Sequence, residues 1–251
     1  MTYSDMKIPS ILATTLLLTS EVVVGQTPTA VTSPDPQTNN MQDPAKIQQY
    51  TRSLEAMRAD NPYKGVSGSP YLVTRWLPAT ITTRTKAVMQ AVPLKYDVLE
   101  QHLLTRDPQK GDSMQLNDDF VVSFVLTDPN RPQQKREFRR FLEAPVPAQT
   151  REFVEVLHQG KYTLLKQYGK EVQRVGYKDA ANFDDRPTAI DDKVTYYLAR
   201  ANGPAMPIKL KLKALQSAAP DLASALKEAS GKQAIATEDE VIVLLQAVDK
   251  P

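Results

Sequence analysis

The chain has 251 residues, 41% hydrophobic and 24% charged, enough to bury a sizeable core in one large or two small domains. Its 31 basic and 29 acidic residues leave a formal charge of +2, too little for the electrostatic footprint of a dedicated nucleic-acid binder. Cysteine is absent, which excludes disulfides, thiolate nucleophiles and thiolate metal ligands.

Residues 1–25 read as a secretory signal peptide. Lys7 precedes an apolar run from Ile8 to Leu18, and Val23, Val24 and Gly25 lead to Gln26. The run is broken by Thr14 and Thr15 and is too short to cross about 30 Å of hydrocarbon comfortably. No later segment reads as a transmembrane helix. Without a cysteine for lipid attachment, the expectation is a soluble periplasmic or secreted protein and not a lipoprotein. Core burial and sheet hydrogen bonding must then supply its stability.

Residues 26–42, rich in Thr, Pro, Gln and Asn, read as a flexible linker. Asp43 and Pro44 give an N-cap and a first helical position, and Ile47, Tyr50, Leu54 and Met57 follow at helical spacing. This predicts an N-terminal helix over 43–60. The turn-rich "NPYKGVSGSP" then opens a single β-rich domain expected over 65–250.

"YLVTRWL" and "ATITTRT" carry the β-branched and aromatic residues of strands. In "PLKYDV" the apolar Leu94, Tyr96 and Val98 alternate with Lys95 and Asp97, and the phase slips at Leu99, which predicts a β-bulge near Val98. "DFVVSFVLTD" puts Phe120, Val122, Phe124 and Leu126 on one face and Val121 and Val125 on the other, so a central strand covered on both sides is expected. Gln159 and Gly160 sit between two β-rich runs as a two-residue hairpin loop would. Ile208, Leu210 and Leu212 alternate with Lys209, Lys211 and Lys213, a period of two that predicts a strand with its lysines toward solvent or a polyanion.

From about 211 the domain is expected to end in a helical cap. Pro220 opens one helix, with Leu222, Ala225, Leu226 and Ala229 as its apolar stripe and Gly231 as its stop. Thr237 and Glu240 form a capping box for a second, which buries Val241, Leu244, Leu245 and Val248. The predicted fold is therefore α+β: an antiparallel meander of roughly eight to ten strands, one N-terminal helix and two C-terminal helices.

The stretches "GSPYLVTRWLPATI", "VPLKYDVLEQHLL" and "FVEVLHQGKYTLLKQY", with the ending from "LKLKALQSAAPDLASALKEASG" to "VIVLLQAV", resemble a family of exported proteins of unknown function common in Bacteroidota. The resemblance covers about residues 65 to 248. It implies an envelope location and carries over no active site.

Polar clusters are read against these elements. His158 precedes a turn, which places it on a sheet rim half in solvent, and His102 lies on a strand; neither has the spacing of a catalytic metal site. Ser67 in "GVSGS" lacks the glycine two places on that a nucleophile elbow needs, and no helix follows it. The pairs Asp118–Asp119, Asp184–Asp185 and Asp191–Asp192 would point to opposite faces of a strand, although the loop "NFDDRPTAIDDK" offers several carboxylates to a cation. With nine glycines and no phosphate-binding loop, no cofactor is expected.

The strongest surface feature is the basic run Arg131, Lys135, Arg136, Arg139 and Arg140. It is a candidate contact for an anion or a partner, either an envelope protein or an anionic glycolipid. The plainer reading is a charged edge strand that blocks strand addition. Three function classes follow: a non-catalytic binding module contacting a protein or polyanion, a hydrolase acting on a glycan or peptide, and a structural subunit of an outer-membrane assembly. Two acids facing each other across a concave pocket would favour the hydrolase.

Overall fold

The computed structural model describes residues 57–58, 66–107, 109–174, 187–201, 203–231 and 234–250. Its strands are β1 (Met57–Arg58), β2 (Ser67–Gly68), β3 (Leu77–Thr83), β4 (Val88–Asp97), β5 (His102–Arg106), β6 (Ser113–Gln115), β7 (Val121–Asp128), β8 (Arg131–Arg140), β9 (Phe153–Gln159), β10 (Tyr162–Arg174), β11 (Pro187–Arg200) and β12 (Met206–Ile208). Helices α1 (Leu212–Ala218), α2 (Ala223–Ser230) and α3 (Glu238–Val248) follow. The fold is a mostly β α+β arrangement.

All the strands join one sheet, in the order β1-β6-β5-β4-β3-β7-β8-β9-β10-β11-β12, with β2 paired to β11. Two antiparallel meanders thus grow from β3, one through β4, β5 and β6, the other through β7 to β12. The segment 67–72 shows how tightly the sheet coils. Ser67 and Gly68 pair in parallel with Ala189 and Ile190 of β11. Two residues beyond Gly68 the Pro70 carbonyl accepts from Val98 N–H at 2.9 Å, and two further on Leu72 N–H donates to Tyr96 O at 2.8 Å. Strands β4 and β11 stand six steps apart in the sheet order, roughly 29 Å if it were flat, whereas the chain from Gly68 to Pro70 reaches only about 7 Å. The sheet must therefore curl until these strands nearly meet, and 67–72 stitches the gap.

Gly68 makes the stitch possible. Its φ is +84°, and a Cβ there would stand 2.2 Å from the Ile190 carbonyl oxygen.

Inside the curl lies an aromatic core. The Tyr96 ring meets Phe124 and Phe153 edge-on at 5.9 and 5.8 Å, and Phe138 stacks on Phe124 at 4.8 Å. Tyr96 is on β4 and Phe153 on β9, so this contact too requires coiling. Such pairs add about 0.5–1.5 kcal/mol each beyond the area they bury. The helices cover a second cluster built on Tyr162, Leu164 and Leu198 with Leu215, Leu226, Val241 and Leu245. The expected capping box forms, with Glu240 Oε2 accepting from Thr237 N–H at 2.9 Å.

Several expectations need correction. The phase slip at Leu99 is a chain reversal and not a bulge: β4 ends at Asp97, whose Oδ1 accepts from Leu99 N–H and Glu100 N–H, and β5 returns beside it. Strand β7 is central but covered on one face only. A register shift at Thr83 flips its parity, burying Val121 and leaving Val122 43% exposed. The period of two at 208–213 spans the end of β12 and an extended Lys211 that precedes α1, so three C-terminal helices stand where two were expected. The predicted meander of eight to ten strands is longer, because short pairings at β1, β2 and β12 escape a periodicity reading.

The expected N-terminal helix over 43–60 is not supported. Met57 and Arg58 are extended and pair with Gln115 and Met114, and the rest of that span lies outside the described residues, as do the expected signal peptide and linker. Among the described residues no helix is long and apolar enough to cross a membrane.

Candidate functional site

The basic run lies on β8, and strand parity divides it. Arg136 turns inward beside Phe138, where its guanidinium meets the buried Glu155 carboxylate through Nε at 2.7 Å and a second nitrogen at 3.0 Å. The Tyr168 hydroxyl closes the triad, accepting from Arg136 at 2.8 Å and donating to Glu155 at 2.6 Å. Burial alone would lower the Arg136 pKa, but Glu155 outweighs it and the net shift is upward. Arg140 lies over the Phe153 ring at 3.9 Å and donates to the carbonyls of Val121, Arg151 and Asp118. Arg139 points the other way and grips Glu143 with both terminal nitrogens at 2.8 Å. Arg131 and Lys135 are the exposed members. The run does not form one clamp; its arginines serve the fold at three separate places.

The histidines part company as well. His158 is buried, correcting its expected place half in solvent, and its Nε2 lies 3.0 Å from Asp249. The hairpin loop falls one residue later than expected, at Gly160 and Lys161. His102 borders an open cleft of about 500 Å³ with Asp118, Arg140 and Arg151. Its Nδ1 lies 2.7 Å from Asp118 Oδ2, while Oδ1 accepts from Leu103 N–H at 3.0 Å. This is an oriented histidine–carboxylate pair, and Glu100 and Asp119 bring two further carboxyl groups to the same lining; no Ser, Thr, Cys or Lys lines it.

A different cleft, of about 420 Å³, opens where the β4–β5 turn meets the loop before β9 and the middle of the β10–β11 hairpin. Three side chains join there. The Gln167 amide nitrogen donates to Glu152 Oε2, and Tyr197 Oη donates to Gln167 Oε1 at 3.0 Å. Gln149 borders the same cleft, and its Oε1 is the one buried side-chain polar atom without a partner among the described residues.

Glu152 has no cationic partner among the described residues. Burial pushes its pKa up, and the Gln167 hydrogen bond offsets that only in part. Lys170 and Lys193 also line the cleft, yet Lys170 is paired with Asp192. A half-buried acid without a counter-charge and an orphaned acceptor in the wall of one polar cleft are the marks of a binding site more than of a packed core.

The remaining candidates stay apart. Ser67 lies exposed within the stitch strand β2. Asp191 and Asp192 point to opposite sides and bond Gln173 and Lys170 respectively, while Asp184 and Asp185 lie outside the described residues. Among the described residues no three His, Asp or Glu side chains are grouped to hold a metal.

Sequence reasoning missed Gln149, Glu152, Gln167 and Tyr197. One signal was available: Gln167 shares strand parity with the buried Leu165, a polar residue where an apolar one was due. Comparison with protein-family models, curated proteins and solved structures gives no match to this chain.

Proposed function

We propose that this is an exported cell-envelope protein that binds a polar ligand, free or carried by a partner, without turning it over. The observation that carries the reading is the chain Tyr197–Gln167–Glu152 in the wall of its cleft, beside the buried and unpaired Gln149 Oε1. Glycoside hydrolysis needs two carboxyl groups about 5–9.5 Å apart across the scissile bond. Glu152 is the single acid lining this cleft. Export rests on the apolar run Ile8–Leu18, and the resemblance to exported Bacteroidota proteins agrees with it. A contact with an envelope protein or anionic glycolipid is proposed only for the exposed Arg131 and Lys135 end of the basic run.

The test is retention followed by mass analysis. Immobilised protein is incubated with solubilised envelope glycans and peptides, and bound material is eluted and weighed. Recovery of an unaltered compound, reduced by substitution at Gln149 or Glu152, is expected; recovery of a cleaved product overturns the reading. A second reading, hydrolysis by water activated at His102 and Asp118, is favoured by their 2.7 Å pairing. It predicts product formation that disappears in His102→Ala and is indifferent to Gln149→Leu.

A further inference from the structure

We infer that Lys95 and Arg106, held beside Trp76 and Tyr71 on the sheet face turned away from the aromatic core, form a binding site for a phosphate monoester. The site shares no residue with the lining of the Glu152 cleft.

Strand parity and register assemble it. Leu94 and Tyr96 are buried in the core, so Lys95 between them points to the other side. Lys95 pairs with Leu104 of β5, and Arg106 follows two residues on with the same parity. Trp76 immediately precedes Leu77, which pairs with Leu94, so it lies beside Lys95. Tyr71 comes from the stitch at 67–72, bridged to Asp97. The Lys95 ammonium stands 4.7 Å from the Tyr71 ring centre and 4.8 Å from that of Trp76, and the Arg106 guanidinium stands 5.2 Å from the Trp76 centre.

What marks the pair is the missing counter-charge. Six lysines and arginines are half-buried among the described residues. Arg136, Arg139, Lys166 and Lys170 each hold a carboxylate, and Arg140 holds three backbone carbonyls. Lys95, the sixth, meets only ring faces, and the exposed Arg106 beside it adds a second positive charge and no acceptor. Asp97 shares the parity of Lys95 but bonds the N–H groups of Leu99 and Glu100 in its own turn. Ring contact steadies the two cations while leaving their charge and N–H donors unanswered. Burial and repulsion by Arg106 both push the Lys95 pKa down, as for an ammonium that lacks an anion. A phosphate monoester carries about −1.5 to −2 charge at neutral pH, which balances two cations, and its three oxygens suit an ammonium and a guanidinium fork together. A lone carboxylate or a phosphodiester brings a single charge and leaves one cation in excess.

Trp76 is the one tryptophan of the chain, so its fluorescence reports on the site. The experiment titrates the full chain, at constant ionic strength, with inorganic phosphate, glycerol 3-phosphate, dimethyl phosphate and acetate, and separately with phosphatidylcholine vesicles carrying phosphatidic acid. A saturable change with glycerol 3-phosphate is expected, with dimethyl phosphate and acetate binding about tenfold more weakly or worse. Lys95→Met and Arg106→Gln should each weaken binding about tenfold or more. Lys95→Met should also leave the denaturation midpoint unchanged or higher, because no bonded partner is lost. If it does not fold, Arg106→Gln at its exposed position reads the same site. Vesicle binding that glycerol 3-phosphate competes away assigns a lipid-borne monoester, and binding of the soluble probes alone assigns a free one; both support the site. No saturable change with any monoester, soluble or on vesicles, overturns the inference. Equal affinity for acetate or dimethyl phosphate overturns the ligand class, and affinity unchanged in the variants overturns the assignment to Lys95 and Arg106.

Discussion

The carboxyl group of Asp249 lies 3.0 Å from Nε2 of His158, 91 residues earlier in the chain, and the pair fastens the end of α3 to the β9–β10 hairpin. Asp249 also accepts from the backbone N–H groups of Lys161 and Tyr162 at 3.1 and 2.9 Å. Gly160 makes room for it, since a Cβ there would stand 2.7 Å from Asp249 Oδ2. One buried side chain thus answers three donors, and the helical cap depends on it.

Asp249→Ala leaves those donors buried without an acceptor and should cost about 2–4 kcal/mol, read as a lower denaturant midpoint at unchanged slope. Asp249→Asn keeps an oxygen and should cost less. Equal stability of Asp249→Ala and the parent would show that the cap docks by apolar contact alone.

Gly68 and Gly111 form a matched pair. Both have positive φ, +84° and +72°, but a Cβ at Gly111 meets nothing within 4 Å, whereas at Gly68 it strikes the Ile190 carbonyl. Gly111→Ala should cost about 1 kcal/mol of backbone strain. Gly68→Ala should cost more and speed amide hydrogen exchange at Ile190, Leu72 and Val98 together, because opening the stitch uncurls both sides. Exchange confined to residue 68 would contradict the closure.

The Arg136–Glu155–Tyr168 triad separates structural from surface charge. Glu155→Gln should destabilise by about 3–5 kcal/mol, because Arg136 keeps a buried charge without its counter-ion. Arg136→Met with Glu155→Leu should recover most of that loss. Reversal of the exposed Arg131 and Lys135 should stay within about 0.5 kcal/mol, so these two positions alone permit a clean test of polyanion contact. Denaturation midpoints of the three variants check the ranking.

Glu152 sets a pH dependence of definite sign. Burial raises its folded pKa above the ordinary 4.5, so its share of stability is full below the unfolded value and is lost as pH rises through the folded one. Asp221 acts oppositely. Lys161 and Tyr162 hold its pKa down to about 2, so its share is present above 3.8 and lost as pH falls toward 2. Glu152→Gln should therefore gain on the parent as pH rises from about 4.5 into the neutral range. A stability difference that does not change with pH would contradict the unpaired burial of Glu152.

What could be read from the residues was whatever repeats locally. Alternation located the strands, Thr237 and Glu240 announced a helix start, and Gly231 announced a stop. Parity failed where a chain reversal or a register shift imitated it, at Leu99 and at Val122, because periodicity registers which side is buried and not whether the chain has turned back. The stitch at 67–72 left no mark, since two residues are too few to show a period. The cleft was hidden for a different reason: Gln149 and Glu152 come from a loop, Gln167 and Tyr197 from two long strands, and only the coiling of the sheet brings them beside the β4–β5 turn. The basic run was plain in the sequence, but its split between Glu155, Glu143 and three backbone carbonyls depends on strand direction and on neighbours far along the chain.

The most direct test is to follow the side-chain amide resonances of Gln149 and Gln167 while the compound retained from solubilised envelope glycans and peptides is titrated in, with that compound's own spectrum recorded alongside. Saturable shifts at both amides with an intact ligand are predicted. Movement at Arg131 and Lys135 instead, or new ligand signals from a broken bond, would contradict binding without turnover in this cleft.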